Sequence, residues 1–186
     1  MSDLDHVDIR ASQQGDHEAY RRLVQRYEAV ISRLMWRFSQ QAGVCEELVQ
    51  EAFVEAYLSL GGFKFRGPYE GWLKRIATRV GYRYWKQQRR ARQYVPLDET
   101  APLEAPESSG EPADAAILAS KLLERLPPTE RLVLTLLYYD ECNTEEIAQR
   151  MGWTRAMVKM RAYRARLKLK DICEREQLLE DFEWTR

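Results

Sequence analysis

NTEEIAQRMGWTRAMVKMRAYRARLKLK, residues 143–170, decides how this chain reads. Asn143 is placed to cap a helix, and Glu146 follows three residues later to close a capping box. Ile147, Ala148 and Met151 give that short helix one apolar face. Gly152 supplies the left-handed residue that ends it, and Thr154 caps a second helix after a tight turn. With successive side chains about 100° apart, Val158, Ala162, Ala165 and Leu169 share one arc of that helix. Arg155, Lys159, Tyr163, Arg166 and Lys170 share another. Residues 154–170 hold seven Lys or Arg and no acid. A short helix, a Gly turn and a basic second helix with a buried seam form the helix-turn-helix pattern, whose second helix enters the major groove of DNA. A solvated surface helix is the ordinary alternative, but such a helix interleaves Glu with Lys rather than carrying one sign throughout.

The chain of 186 residues suits one domain or two small ones. Its formal net charge is zero, with 29 basic and 29 acidic residues, an average that argues against a nucleic-acid partner. The charge is segregated, however. Residues 72–94 carry eight Lys or Arg and no acid, and residues 95–116 carry six Asp or Glu and no base. Local field therefore matters more than the total. The acidic N-terminus lacks the apolar segment of a signal peptide, and the longest apolar run, near Leu132–Tyr139, is too short to span a bilayer. Cys45, Cys142 and Cys173 form no close pair, as expected of reduced thiols in a cytoplasm. With His6 and His17 as the two histidines, a Cys/His zinc site is not expected, and neither is any other cofactor.

Taken in order, Met1–Asp8 reads as a frayed end. A helix is predicted from about Ile9 to Arg37, with Asp16 as an internal N-cap candidate and Ala19, Leu23, Tyr27, Val30, Leu34 and Phe38 along one side. Gly43 is expected to break the pattern. A second helix is predicted over Cys45–Leu60, with Leu48, Ala52 and Ala56 or Tyr57 facing a core. Glu47, Glu51 and Glu55 stack along one edge of it. A di-iron site would also require Glu-x-x-His pairs, which this helix lacks. A solvated face or a basic protein partner remain. The partner gains weight because Val49, Phe53 and Val54 extend the apolar surface beyond one face.

A Gly/Pro loop follows, with Phe63 read as a plug into the core and Phe65 left open between plug and stacking platform. In residues 72–94, Trp72, Ile76 and Val80 are predicted to be core. Arg75, Arg79, Arg83 and Lys86 form a basic stripe interleaved with Tyr82, Tyr84 and Trp85. Basic and aromatic side chains on one helix suit single-stranded DNA, the charges holding phosphates and the rings stacking on bases. Residues 95–113 hold four prolines and little periodicity and read as a flexible acidic linker. The chain thus reads as all-α: a helical domain at 1–94, a linker at 95–113, and a second helical domain at 114–186 containing the helix-turn-helix. In that second domain Ile117, Lys121, Leu122 and Leu126 are expected on one helix side, and Leu132, Val133, Leu136 and Leu137 in the core. An acidic tail with Leu178, Leu179, Phe182 and Trp184 closes the chain.

Five motifs in this order carry a family likeness: GDHEAYRRLVQRY (15–27), EELVQEAFVEAY (46–57), F-x-x-x-x-x-Y-x-x-WLKRIA (63–77), LPPTERLVL (126–134) and EEIAQRMGWTRAMVKMRAYRARLKL (145–169). Together they resemble the extracytoplasmic-function sigma factors of bacterial RNA polymerase. The resemblance implies two helical domains, one that grips core polymerase and opens the −10 element and one that reads the −35 element. It places Glu47, Leu48, Gln50, Glu51 and Phe53 against the coiled coil of the β′ subunit, and the second domain at the β flap. It places Phe63, Lys64, Arg75, Arg79 and Arg83 around the −10 strand, beside Lys86 of the basic stripe. It places Lys159, Met160, Arg161, Tyr163 and Arg164 on the −35 reading helix, beside Arg155. It also implies an anti-sigma protein as a partner.

The departures from the family's pattern bear on which promoter is read. Glu47 stands where Asp is favoured, Arg79 where Asn is frequent, Met160 where a small polar residue is usual, and Ala156-Met157 in place of Gly-Thr. The acidic linker is expected to lie as a nucleic-acid mimic in the polymerase's basic RNA path, so that neutralising Asp98, Glu99, Glu104 and Glu107 weakens core binding. A helix-turn-helix regulator acting without polymerase is the competing reading, separable by capture of core enzyme. A nuclease would need clustered acids and histidines, and both histidines stand apart from every basic segment.

Overall fold

The structure, a computed structural model, describes residues 3–94 and 112–176. The expected acidic linker, including Asp98, Glu99, Glu104 and Glu107, and the apolar residues of the C-terminal tail lie outside the described residues. Every regular element among the described residues is helical, and the chain divides into two compact units, Met1–Gln88 and Arg89–Arg186.

In the first unit, α1 spans Asp3–Gln13, α2 His17–Met35 and α3 Ala42–Ser59, with a 3-10 turn at Leu60–Gly62 before α4, Tyr69–Tyr94, whose last six residues, 89–94, lie past the Gln88 boundary. The Asp16 carboxylate caps α2 by accepting from the backbone N–H groups of Glu18 and Ala19 at 2.9 and 3.0 Å. Ala19, Leu23, Tyr27, Ile31, Leu34 and Met35 make its buried face. The expected member Val30 is only half-buried, and Ile31 takes the core place beside it. Each large aliphatic side chain buried here contributes about 1.5–3 kcal/mol.

From Asp3 onward the expected frayed end is helical instead. α1 packs along α2, and the reason is an ion network invisible to hydrophobic periodicity. Asp5 and Asp8 are buried at 3% and 4% exposure. Arg26 donates to both at 2.7 Å, Arg22 donates to Asp8 at 2.9 Å, and the Tyr27 hydroxyl donates to Asp5 at 2.8 Å. Acids that read as solvent-facing are the buried partners of arginines on α2.

Gly43 does not break the pattern but lies in the first turn of α3, where the unpaired N–H groups of a helix start tolerate it. Val49 and Phe53 are buried in the same core as Leu48, Ala52 and Ala56. α3 is thus enclosed over a wide arc, while Val54 does not share that core: it stands out at 57% exposure, with Tyr57 and Leu58 exposed on the same side at 36% and 78%.

Along α4 the buried stripe is Tyr69, Leu73, Ala77 and Val80. The expected Trp72 and Ile76 are half-buried at its edge, because α4 presents the neighbouring arc to the core. Trp85 is buried too, its ring 4.5 Å from that of Phe38 and its Nε1 donating to the Phe38 carbonyl at 2.8 Å. Gly81 permits that approach, since a Cβ there would lie 2.3 Å from the Phe38 ring.

In the second unit, α5 spans Pro112–Glu124, α6 Pro128–Tyr138, α7 Thr144–Met151 and α8 Arg155–Arg175. Pro128 begins α6 at its first turn, where no N–H is needed. α8 packs on α6 and α7. Leu132, Val133, Leu134, Leu136, Ile147, Val158, Ala162 and Ala165 are buried, and Leu126, Leu134 and Ala165 form a cluster with Leu123, Leu137 and Leu169 against it. Ile117 faces solvent instead, at 49% exposure.

Candidate nucleic-acid interfaces

The helix-turn-helix forms by the local rules its residues obey. The Asn143 side chain accepts from the N–H groups of Glu145 and Glu146, and Glu146 accepts from the Asn143 N–H at 2.8 Å, completing the capping box. Gly152 sits at φ 71°, ψ 32°, the left-handed end of α7, where a Cβ costs about 1–2 kcal/mol. The Thr154 hydroxyl then caps α8 through the Met157 N–H at 3.2 Å. Val158, Ala162 and Ala165 face inward, so the opposite arc of α8 is left outside.

On that outer arc, Lys159, Met160, Tyr163 and Arg164 are exposed, and neither Lys159 nor Arg164 makes an ion pair among the described residues. Arg155 is exposed as well but reaches Glu145 at 3.3 Å. Arg161 is different. Its guanidinium lies 3.8 Å from the centre of the Trp153 ring, close enough for a cation–π contact. It locks the turn before α8 to the helix rather than standing free beside Lys159. Arg166 donates to the Tyr138 hydroxyl at 3.0 Å, and Lys168 pairs with Glu130 at 2.8 Å. The basic arc thus holds Lys159 and Arg164 without ion pairs among the described residues, between Arg155, which is tethered at its start, and Arg166 and Lys168, which are tethered toward α6. At the far end, Glu176 pairs with Arg125, tying the end of α8 to the turn after α5.

On the first unit the basic stripe of α4 sorts in the same way. Arg75, Arg79 and Lys86 are exposed, and none of them forms an ion pair among the described residues. Lys86 lies over the Tyr82 ring at 5.5 Å. Arg83 does not stand with them: its Nη2 is 2.6 Å from Glu51 Oε1 and 2.5 Å from Glu55 Oε1 on α3. Tyr82 and Tyr84 keep partly exposed rings, whereas Trp85 belongs to the core and offers none.

The loop between α3 and α4 carries Phe63, Lys64, Phe65 and Arg66. Phe63 is the expected plug, 6% exposed and in edge or tilted contact with Phe65, Tyr69 and Trp72 at 5.1–5.7 Å. Phe65 is held at φ 54°, unusual for a bulky residue. Lys64 and Arg66 project to solvent on either side of it.

Among the residues expected at the polymerase, Glu47, Gln50 and Glu51 are exposed on α3. Leu48 and Phe53 are buried at 4% and 6% exposure. Val54 and Leu58 continue the exposed ridge one and two turns on. Together with His17, Tyr20, Phe53 and Tyr57 they line a shallow pocket of about 320 Å³. Sequence reasoning passed over Leu58, whose signal was its place eleven residues after Glu47, on the same helix face.

Comparison with known proteins follows the same division. Residues 23–91 match the family Sigma-70 region 2, and residues 117–169 match Sigma-70, region 4. The ECF RNA polymerase sigma-E factor of Escherichia coli (strain K12) is 30% identical over 176 residues, which cover 87% of this chain and 90% of that one. The fold is shared with CnrH, solved in complex with the cytosolic domain of CnrY, at 22% identity and a TM-score of 0.60 over 94% of this chain and 99% of that one. It is shared too with the sigma factor RpoE, solved in complex with the anti-sigma factor NepR from Bartonella quintana, at 19% identity and a TM-score of 0.56 over 83% and 96%.

The chain belongs to the extracytoplasmic-function group of the sigma-70 family. It is a transcription initiation factor that directs RNA polymerase to promoters, and not an enzyme. No described helix is long and apolar enough to cross a membrane.

Proposed function

We propose that the first unit docks on the β′ coiled coil of core polymerase through Glu47, Gln50 and Glu51, extended by Val54 and Leu58. The same unit holds the parted −10 strand with Lys64, Arg75, Arg79 and Lys86, Phe63 supporting the loop from beneath. The second unit sits at the β flap and reads the −35 duplex with Lys159, Tyr163 and Arg164, flanked by Arg155 and Met160, while Arg161 holds the reading helix to its turn. Exposed Lys and Arg hold phosphates and pair with guanine in the major groove. Neither DNA contact has to be tight, because polymerase holds both units and makes the second contact intramolecular. The factor works in the cytoplasm, where an anti-sigma protein holds it; the similarly folded RpoE of Bartonella quintana was solved in complex with an anti-sigma factor.

The observation that carries this reading is the sorting of exposed charge: cations without ion-pair partners on α4 and α8, and exposed carboxylates on α3. Glu47→Lys is the clean test, because Glu47 makes no ion pair among the described residues, whereas reversing Glu51 also repels Arg83. The variant should lose capture of core polymerase and run-off transcription while keeping its helical spectrum. Normal holoenzyme formation would reject the docking ridge.

A further inference from the structure

α1 carries two faces. Asp5, Asp8, Ile9 and Ser12 are buried, Asp5 and Asp8 against Arg22, Arg26 and Tyr27 of α2. His6, Arg10 and Gln13, spaced by four and three residues and therefore on one adjoining arc, all reach the loop between α3 and α4. The His6 ring stacks on Phe65 with centroids 5.0 Å apart and planes 18° from parallel. The Arg10 guanidinium lies 5.6 Å from the centre of the same ring. The Gln13 amide donates to two loop carbonyls, Leu60 at 2.9 Å and Phe63 at 3.1 Å. Between these contacts Phe65 holds φ 54°, a conformation that persists only where surrounding structure imposes it. Lys64 and Arg66, its neighbours on both sides, are exposed.

We infer that His6, Arg10 and Gln13 are positioning residues that hold the Phe63–Arg66 loop in the shape that grips the −10 strand. A helix that served only to cover the core would need the Asp5, Asp8, Ile9 and Ser12 face alone. The second face spends three side chains on one loop and supports one strained residue within it. The inference rests on the proposed role of this loop at the −10 strand. Its consequence follows from population: if the loop samples its gripping shape only part of the time, apparent affinity falls by that fraction.

The test uses holoenzyme assembled with the full chain and a fork-junction DNA library randomised along its single-stranded tail, from which the best-retained tail is then titrated. His6→Ala/Gln13→Ala leaves Arg10 in place, so the guanidinium beside the Phe65 ring is kept. It should form holoenzyme normally, bind the −35 duplex normally, and bind the preferred tail about tenfold more weakly, equivalent to ~1.4 kcal/mol, with flattened discrimination among tails. His6→Phe/Gln13→Ala, which restores a stacking ring at position 6, should recover part of the tail binding that His6→Ala/Gln13→Ala loses. Lys64→Ala/Arg66→Ala separates the two layers. If that variant loses tail binding and the α1 variants do not, the brace is rejected and the −10 role of the loop stands. If neither loses it, the −10 role falls and takes the brace with it. A lost thermal transition in the α1 variant would also reject it, since α1 would then be a strut for the whole unit.

Discussion

Arg83 of α4 donates to Glu51 of α3 across 2.6 Å, joining a residue expected at DNA to one expected at the polymerase. Glu55 completes the pair from the next turn. The consequence is local neutrality where one reading of the sequence had a free cation and another had a free anion. Both side chains are close to half exposed, at 42% and 47%, so water screens the pair and its contribution to stability is under about 1 kcal/mol. Its effect is on availability: Arg83 is occupied, whereas Arg75 and Arg79 on the preceding turns are not.

Arg79 and Arg83 should therefore behave differently although both lie on the α4 stripe. Arg79→Ala should lower the salt dependence of promoter binding by about one in slope, the signature of one lost phosphate contact. Arg83→Ala should leave that slope near its starting value. Measuring open-complex affinity against salt for both variants checks this, and equal losses would show that Arg83 leaves its carboxylates when DNA arrives.

Asp8 makes the first unit sensitive to acid. Burial pushes its pKa up, but the hydrogen bonds from Arg26 and Arg22 outweigh that and leave the carboxyl below its ordinary 3.8. A carboxyl lowered by folding stabilises the fold above the unfolded value and loses that contribution as pH falls through the folded one. Stability should thus decline as pH is taken below 3.8. Asp8→Asn should cost about 2 kcal/mol at neutral pH through weakened charged hydrogen bonds and should flatten the acid limb of the melting curve. An acid limb as steep as the parent's would place the sensitivity elsewhere.

Lys159 and Arg161 lie two residues apart on α8, on different arcs and with different work. Lys159→Ala and Tyr163→Ala should each weaken a cognate −35 duplex by about 1–3 kcal/mol without moving the thermal midpoint of the second unit. Arg161→Ala should lower that midpoint, through loss of a cation–π contact worth about 0.5–2 kcal/mol. Calorimetry beside duplex titration separates them, and an unmoved midpoint for Arg161→Ala would return that residue to the reading surface.

The helix-turn-helix was legible in the sequence down to its punctuation. Asn143, Glu146, Gly152 and Thr154 act within one or two turns of themselves, and Val158, Ala162 and Ala165 declare their seam by spacing alone. Caps and left-handed glycines are local physics, so a local reading suffices. Membership of the family was legible for a related reason, since five motifs in order identify it whatever their packing.

What tertiary structure decided was partnership at a distance. Asp5 and Asp8 look like the solvated start of a chain until Arg22 and Arg26 arrive from α2. Trp85 looks like a stacking platform until Phe38 meets it across Gly81. Arg83 looks like one more cation in a stripe until α3 delivers Glu51. Spacing along one helix tells which side chains share an arc, but not which arc faces another helix. A charge or a ring has its role set by whatever that other helix brings to it, and sequence distance carries no record of the meeting.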